Sequence, residues 1–197
     1  MNTFVCFALE REAAPFRRQT RDWPHVRIAV SGVGRDRARR CVEAVLAATT
    51  PSLVIAAGFC GALRPTLRVG DIVESPRIIT VGHLVSGTAE KRRLAELHDA
   101  DAVDMESAAV QDLCAERNVP FRAIRVVSDA VDTALSPELV RLLSGGKVSV
   151  WKALAALRRR PALLGEFLRL GRDTKLAARK LCDALVAQIA RSAPPRG

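Results

Sequence analysis

Short apolar runs recur along the first two thirds of this chain, and glycines or acids close most of them. "TFVCFA" (3–8), "VRIAV" (26–30), "SLVIAAG" (52–58) and "FRAIRVVSD" (121–129) have the length and composition of buried strands. "DIVES" (71–75) and "RIITV" (77–81), on either side of Pro76, and "ADAVD" (100–104) read as shorter ones. Between them, "GRDRARRCVEAVLAAT" (34–49) sets Ala38, Cys41, Val42, Val45 and Leu46 at helical spacing with Arg and Asp opposite. Residues 88–98 and 105–117 also read as helices. Strands alternating with helices predict an α/β fold with a layered sheet. Ligands of such folds bind beyond the carboxyl ends of the strands. The chain places Glu10 and Glu12, Gly32 and Gly34, Gly58 and Gly61, Glu106, and Ser128 and Asp129 there.

With 197 residues, 49% of them hydrophobic, the chain can bury a core. It reads as one domain over 1–190, with a helical C-terminal segment (149–190) and a flexible Pro-rich tail, 191–197. Helices are expected at 137–144, 149–159 and 161–190, the last divided near Gly171. The uncharged run Ala44–Leu63 is long enough to span a membrane. "TTPS" (49–52) breaks it, so it reads as helix end, turn, buried strand, then a loop at 58–61. The N-terminus lacks the charged and apolar blocks of a signal peptide. The five cysteines are odd in number and without CxxC spacing, and His25, His83 and His98 have no metal-ligand spacing. A cytoplasmic protein with reduced thiols and no metal is expected.

"SGVGRDRA" (31–38) lacks the third glycine of a dinucleotide fingerprint and reads as a tight turn. "AAGFCGAL" (56–63) is either a turn or a loop whose amides approach a ligand. In "RVVSDAVD" (125–132), Ser128 can orient Asp129. An acid in a partly apolar setting can stay protonated and donate, though Asp also caps turns. "AVDMESAAV" (102–110) spends two acids where a strand becomes a helix. The helix dipole accounts for acids at such a place, and the alternative is that one of them grips a substrate.

Taken together, "ALEREA" (8–13), "SGVG" (31–34), "AAGFCGALRPTLRVGDIV" (56–73), "VSGTAEK" (85–91) and "AVDMESAAVQDLCAERNVPFRAIRVVSD" (102–129) resemble the purine nucleoside phosphorylase and nucleosidase superfamily, including its methylthioadenosine/S-adenosylhomocysteine nucleosidases. The resemblance implies a three-layer sandwich around a central mixed sheet, followed here by basic amphipathic helices. It implies cleavage of an N-glycosidic bond without a cofactor, phosphate being admitted as co-substrate. Glu106 would accept hydrogen bonds from ribose hydroxyls above Met105, which leaves Asp104 to the helix start or a structural hydrogen bond. Asp129, helped by Ser128, would be general acid toward the base. Glu12 would position or activate a nucleophilic water, with Arg125 holding Asp129 or Glu12. Gly58 and Phe59 would line the substrate. A homodimer is expected.

Phosphorolytic relatives place an Arg before the "GxxG" loop and a Ser or Thr inside it. Ala56 and Phe59 stand at those places, which favours water as the nucleophile. The chain is also short between Asp71 and Val85, where typical nucleosidases carry much of a base-covering flap, and an opened pocket suits a bulky 5′ substituent. Of the net charge of +10, +8 falls in residues 151–197. There, "VWKALAALRRRPALLGEFLRLGRDTKLAARK" (150–180) interleaves Trp151, Leu154, Leu163, Leu164, Phe167 and Leu168 with Arg158, Arg159, Arg160, Arg169, Arg172 and Lys175. Such helices either pack on a sheet or lie on an anionic membrane. This tail and the short architecture are similar to the hopanoid-associated phosphorylase-like subgroup. That resemblance implies release of adenine from adenosylhopane at the inner membrane face. The alternatives are a soluble nucleosidase acting on futalosine, methylthioadenosine or a similar nucleoside, a non-catalytic nucleoside binder, and a nucleic-acid-binding protein. The last is disfavoured because no zinc-finger or aromatic RNA-binding motif is present.

Overall fold

A computed structural model describes residues 2–133 and 163–192 of the chain. Its elements are β1 (Thr3–Phe7), α1 (Glu10–Gln19), β2 (Val26–Val30), α2 (Arg35–Ala48), β3 (Leu53–Ala62), β4 (Ile72–Glu74), β5 (Ile78–Thr80), α3 (Thr88–His98), β6 (Ala102–Asp104), α4 (Ser107–Glu116), β7 (Phe121–Asp129) and α5 (Leu163–Ser192). The helices expected at 137–144 and 149–159, with Trp151, Leu154 and Arg158–Arg160, lie outside the described residues, as do 193–197.

Residues in a strand alternate between its two faces, and here each face meets its own helices. Val5, Phe7, Ile55, Ala57, Ile124 and Val126 pack with Ala13 and Phe16 of α1 and with Ala177, Leu181, Leu185 and Ile189 of α5. Phe4, Cys6, Val54 and Ala56 pack on Ala38 and Val42 of α2 and Val110, Leu113 and Cys114 of α4. The result is the expected three-layer α/β sandwich. Its sheet is mixed. β1 runs parallel to β2 and β3, and β3 is parallel to β7. β6 is antiparallel to β3, and β4 to β7.

Three expectations change. β3 does not stop at Gly58. Gly58–Cys60 stay paired with Arg125–Val127, and Gly61 and Ala62 with Val103 and Ala102, so "GFCG" is strand, not loop. A helix, α1, occupies a stretch rich in charge and containing Pro15, for which the periodicity suggested no element. α5 is continuous through Gly171, because a glycine in a long, packed helix costs only about 1 kcal/mol against Ala. Its buried residues Ala177, Ala178, Leu181, Cys182, Leu185 and Ile189 form one stripe against the sheet, while Leu168 and Leu176 stay exposed.

Candidate active site

The predicted residues gather at the carboxyl ends of β1, β3 and β7 and beside the start of α4. α1 begins where β1 ends, and Glu12 in its first turn bends back toward the sheet. Its Oε2 accepts from the amides of Ala8 (3.1 Å) and Leu9 (2.8 Å), and its Oε1 from the amide of Phe59 (2.9 Å). The carboxyl is only 3% exposed. Burial pushes it up to about 7, with the Phe59 amide, Arg125 and the Leu9 amide pulling the other way. A carboxyl tuned near neutrality suits proton transfer.

Arg125 lies at the centre of the acids and is itself 1% exposed. Its Nη2 stands 2.6 Å from Asp104 Oδ2 and 3.7 Å from Glu106 Oε2, and it also donates to Ser107 Oγ at 3.0 Å. Burial works against its charge, but Asp104, Glu106 and Glu12 more than offset this and hold the guanidinium firmly protonated. Gly58, its register partner on β3, has φ +158°. A Cβ there would meet Arg125 Nη1 at 2.5 Å and Glu12 Oε1 at 3.1 Å. Gly58 is therefore the notch in which guanidinium and carboxylate meet.

Asp104, at the end of β6, accepts from Thr80 Oγ1 (2.6 Å) and from the amide of Ser107 (3.1 Å). Its structural assignment thus has a geometric basis, and it is also the nearest carboxylate to Arg125. Glu106 caps the start of α4, and its Oε1 accepts from the amide of Gly34 at 2.8 Å. Gly34 has φ +107°, a conformation costly for other residues, so the "SGVG" turn serves to aim an amide at Glu106. Burial raises the Glu106 carboxyl above its ordinary range despite Arg125.

Asp129 belongs to a second cluster. Cys60 pairs with Val127 but Gly61 pairs with Asp129, so β7 gains one residue at this point. A bulge re-aims the side chain beyond it, and here it brings Asp129 opposite Gly61. Ser128 Oγ donates to Asp129 Oδ1 at 2.8 Å, as the sequence suggested. The cation on Asp129 is not Arg125 but Lys91 of α3, whose Nζ lies 2.5 Å from Oδ2. The offer of Arg125 as a holder of Asp129 is corrected accordingly: its guanidinium is taken by Asp104 and Glu106, with Glu12 alongside. The two clusters flank one buried thiol. Burial pushes Cys60 up, and its surroundings include the charges of Arg125, Asp129, Asp104 and Glu12.

Met105 and Phe59 are half-buried beside these groups, and the Arg11 guanidinium sits 5.9 Å from the Phe59 ring centre. Among the described residues, no three His, Cys, Asp or Glu side chains are grouped to hold a metal ion. Lys91 escaped the sequence reading because "EKRRLAEL" looks like a solvated helix. A signal was present: Lys91 precedes the buried Ala95 by four residues and so shares its stripe.

Chemically, three carboxylates around one guanidinium leave two negative charges in excess when all are ionised. Such a cluster favours a group that becomes positive. A carboxyl tuned near neutrality can take a proton from water, and the Asp129–Lys91 pair can hand one over.

The family model of the phosphorylase superfamily matches residues 11–79 and 74–143. The 5′-methylthioadenosine/S-adenosylhomocysteine nucleosidase of Anoxybacillus flavithermus is 24% identical, the match covering 66% of this chain and 85% of the relative. Among solved structures, a Helicobacter pylori nucleosidase of this kind with 5′-methylthioadenosine in its active site superimposes with TM-score 0.72 at 13% identity, covering 96% of this chain and 98% of the other. The Helicobacter pylori futalosine hydrolase gives TM-score 0.71 at 13% identity, covering 97% and 98%. The chain belongs to the phosphorylase superfamily.

Proposed function

We propose that this protein cleaves the N-glycosidic bond of a 5′-substituted adenosine and releases adenine. The observation that carries this reading is the gathering of Glu12, Asp104 and Glu106 around the buried Arg125, with Glu12 titrating near neutrality. In such a cleavage the sugar acquires oxocarbenium character and the base departs with the bonding electrons. Excess negative charge stabilises the first, and a proton donor the second. Glu106 receives the ribose hydroxyls over Met105, Glu12 takes a proton from the attacking water, and Asp129 with Ser128 protonates the base. Gly58 and Phe59 face the substrate. Hydrolysis is favoured over phosphorolysis because Ala56 and Phe59 stand where a phosphate site needs Arg and Ser or Thr, and the Phe59 amide is already given to Glu12.

The substrate we favour is adenosylhopane, giving ribosylhopane. The short segment between Asp71 and Val85, the basic C-terminal stretch and the exposed Leu168 and Leu176 on α5 support a lipid-linked nucleoside and peripheral membrane contact. No described helix is long and apolar enough to cross a membrane. A second reading, a nucleosidase for methylthioadenosine, S-adenosylhomocysteine or futalosine, is favoured by what the similar proteins act on. The deciding experiment offers adenosylhopane in vesicles and methylthioadenosine in solution, each with and without phosphate, and measures free adenine. Adenine from the lipid, independent of phosphate, is expected. Adenine from methylthioadenosine alone selects the second reading, a phosphate requirement replaces water as nucleophile, and no adenine from any arm defeats the proposal.

A further inference from the structure

Lys91 is a lysine with no solvent-exposed surface, and that needs a reason. A cation is seldom fully buried unless paired. Its Nζ donates to Asp129 Oδ2 at 2.5 Å, to the carbonyl of Ala130 at 2.8 Å and, more weakly, to that of Thr133 at 3.4 Å. Each of its three N–H groups therefore has an acceptor. The fold also keeps space for the pair. A Cβ on Gly61 would meet Asp129 Oδ2 at 3.2 Å and Lys91 Cε at 3.6 Å.

This geometry bears on how the base receives its proton. Asp129 Oδ2 accepts from Lys91 Nζ, while Oδ1 lies 2.8 Å from Ser128 Oγ, whose single proton is shared between Oδ1 and the carbonyl of Cys60 at 3.2 Å. As a carboxylate paired with an ammonium, Asp129 gives a proton only after receiving one. The nearest transferable proton is on Lys91 Nζ. Lys91 is sealed from solvent while the Asp129 side chain is 18% exposed, so only Asp129 can reach a substrate.

We propose that Lys91 supplies, through Asp129, the proton that the departing base takes up. The inference rests on the nucleosidase reading above. As the bond from the sugar carbon to the base nitrogen breaks, its electron pair goes to the base. Asp129 takes a proton from Lys91 Nζ and passes it to a base nitrogen. Asp129 ends as it began, the lysine ends as an amine, and the base leaves neutral. Water adds to the sugar carbon and gives its proton to Glu12. Return of that proton by way of solvent restores both groups. Lys91 is thus a positioning and proton-supplying residue that does not touch the substrate.

The test compares the nucleoside that the unaltered protein cleaves, adenosylhopane or methylthioadenosine, with its N7-methylated counterpart, which is already cationic and whose base leaves neutral without being protonated. Lys91→Gln keeps an N–H toward Asp129 but has no proton to give. Lys91→Arg keeps the charge but holds its protons far more tightly. Both should lose about 10²-fold or more in kcat on the unmethylated nucleoside, with KM little changed, yet stay within a few-fold of the parent on the methylated one. Thermal melts establish which variants fold, and either one suffices for the comparison. Equal losses on both substrates would mean a merely structural lysine and overturn the proposal, as would a parent rate in the Arg variant. If the unaltered protein releases base from neither adenosylhopane nor methylthioadenosine, the nucleosidase reading fails and takes this inference with it. If it releases base from one of them and from its methylated counterpart and the variants show no selective loss, only the inference fails.

Discussion

At one end of the site three carboxylates share a single guanidinium, while at the other one carboxylate has an ammonium of its own. Carboxylates and a buried cation build both ends, yet their charge balance differs. Around Arg125 the acids outnumber the cation, and burial lifts Glu12 and Glu106 above the ordinary carboxylate range. That end is unsatisfied as it stands, and it gains when a neighbouring sugar turns positive. Around Asp129 the charges cancel, and a proton between two partners can shift without creating a new buried charge. On the proposed reading, charge stabilisation falls to the first end and proton delivery to the second.

The largest test falls on the second end. Asp129→Asn should keep nucleoside affinity and lose about 10²–10⁴-fold in kcat, the usual worth of a general acid. Turnover near that of the parent would erase the distinction between the ends.

Arg125→Met attacks the first end through stability. It leaves Asp104, Glu106 and Glu12 buried without their cation, and breaking such a set costs about 3–5 kcal/mol. Denaturant unfolding at neutral pH should show that loss. A loss under about 1 kcal/mol, of the size surface ion pairs give, would mean the acids are not held as one cluster.

The gentlest test varies pH. Glu12 must be ionised to accept a proton from water, so kcat/KM should rise about tenfold per pH unit up to about 7 and then level off. Stability moves the opposite way. Because the folded carboxyl titrates above the ordinary value of 4.5, its contribution is fully present below that value and is lost as pH rises through about 7. The change is on the order of 3 kcal/mol. Glu12→Gln should abolish the rise in rate and flatten the stability slope. A limb that persists in that variant belongs to another group.

Much of this molecule could be read from local pattern. β1 and β7 were legible because buried strands leave dense apolar runs, β2 by its apolar run although it is a half-exposed edge strand, and α2 because its apolar stripe repeats at helical spacing. The extent of β3 was not, since Gly58 and Gly61 suggest a loop until the pairing with β7 is known. α1 was hidden by its charges and Pro15, and it is stabilised largely by Ala13 and Phe16 packing into the core. At the candidate site, Glu12, Glu106, Ser128 and Asp129 were named from the chain, whereas the partners of Arg125 and the burial of Lys91 against Asp129 were not.

What the linear chain determined by itself is the alternation of strand and helix and the supply of acids at the strand ends, because both follow from hydrophobic periodicity over a few neighbours. What only the tertiary structure decided is which cation neutralises which acid. Lys91 and Asp129 are 38 residues apart, and Gly34 and Glu106 are 72. Such pairings depend on burial and on distances of a few ångströms between separate elements, and no local pattern encodes either.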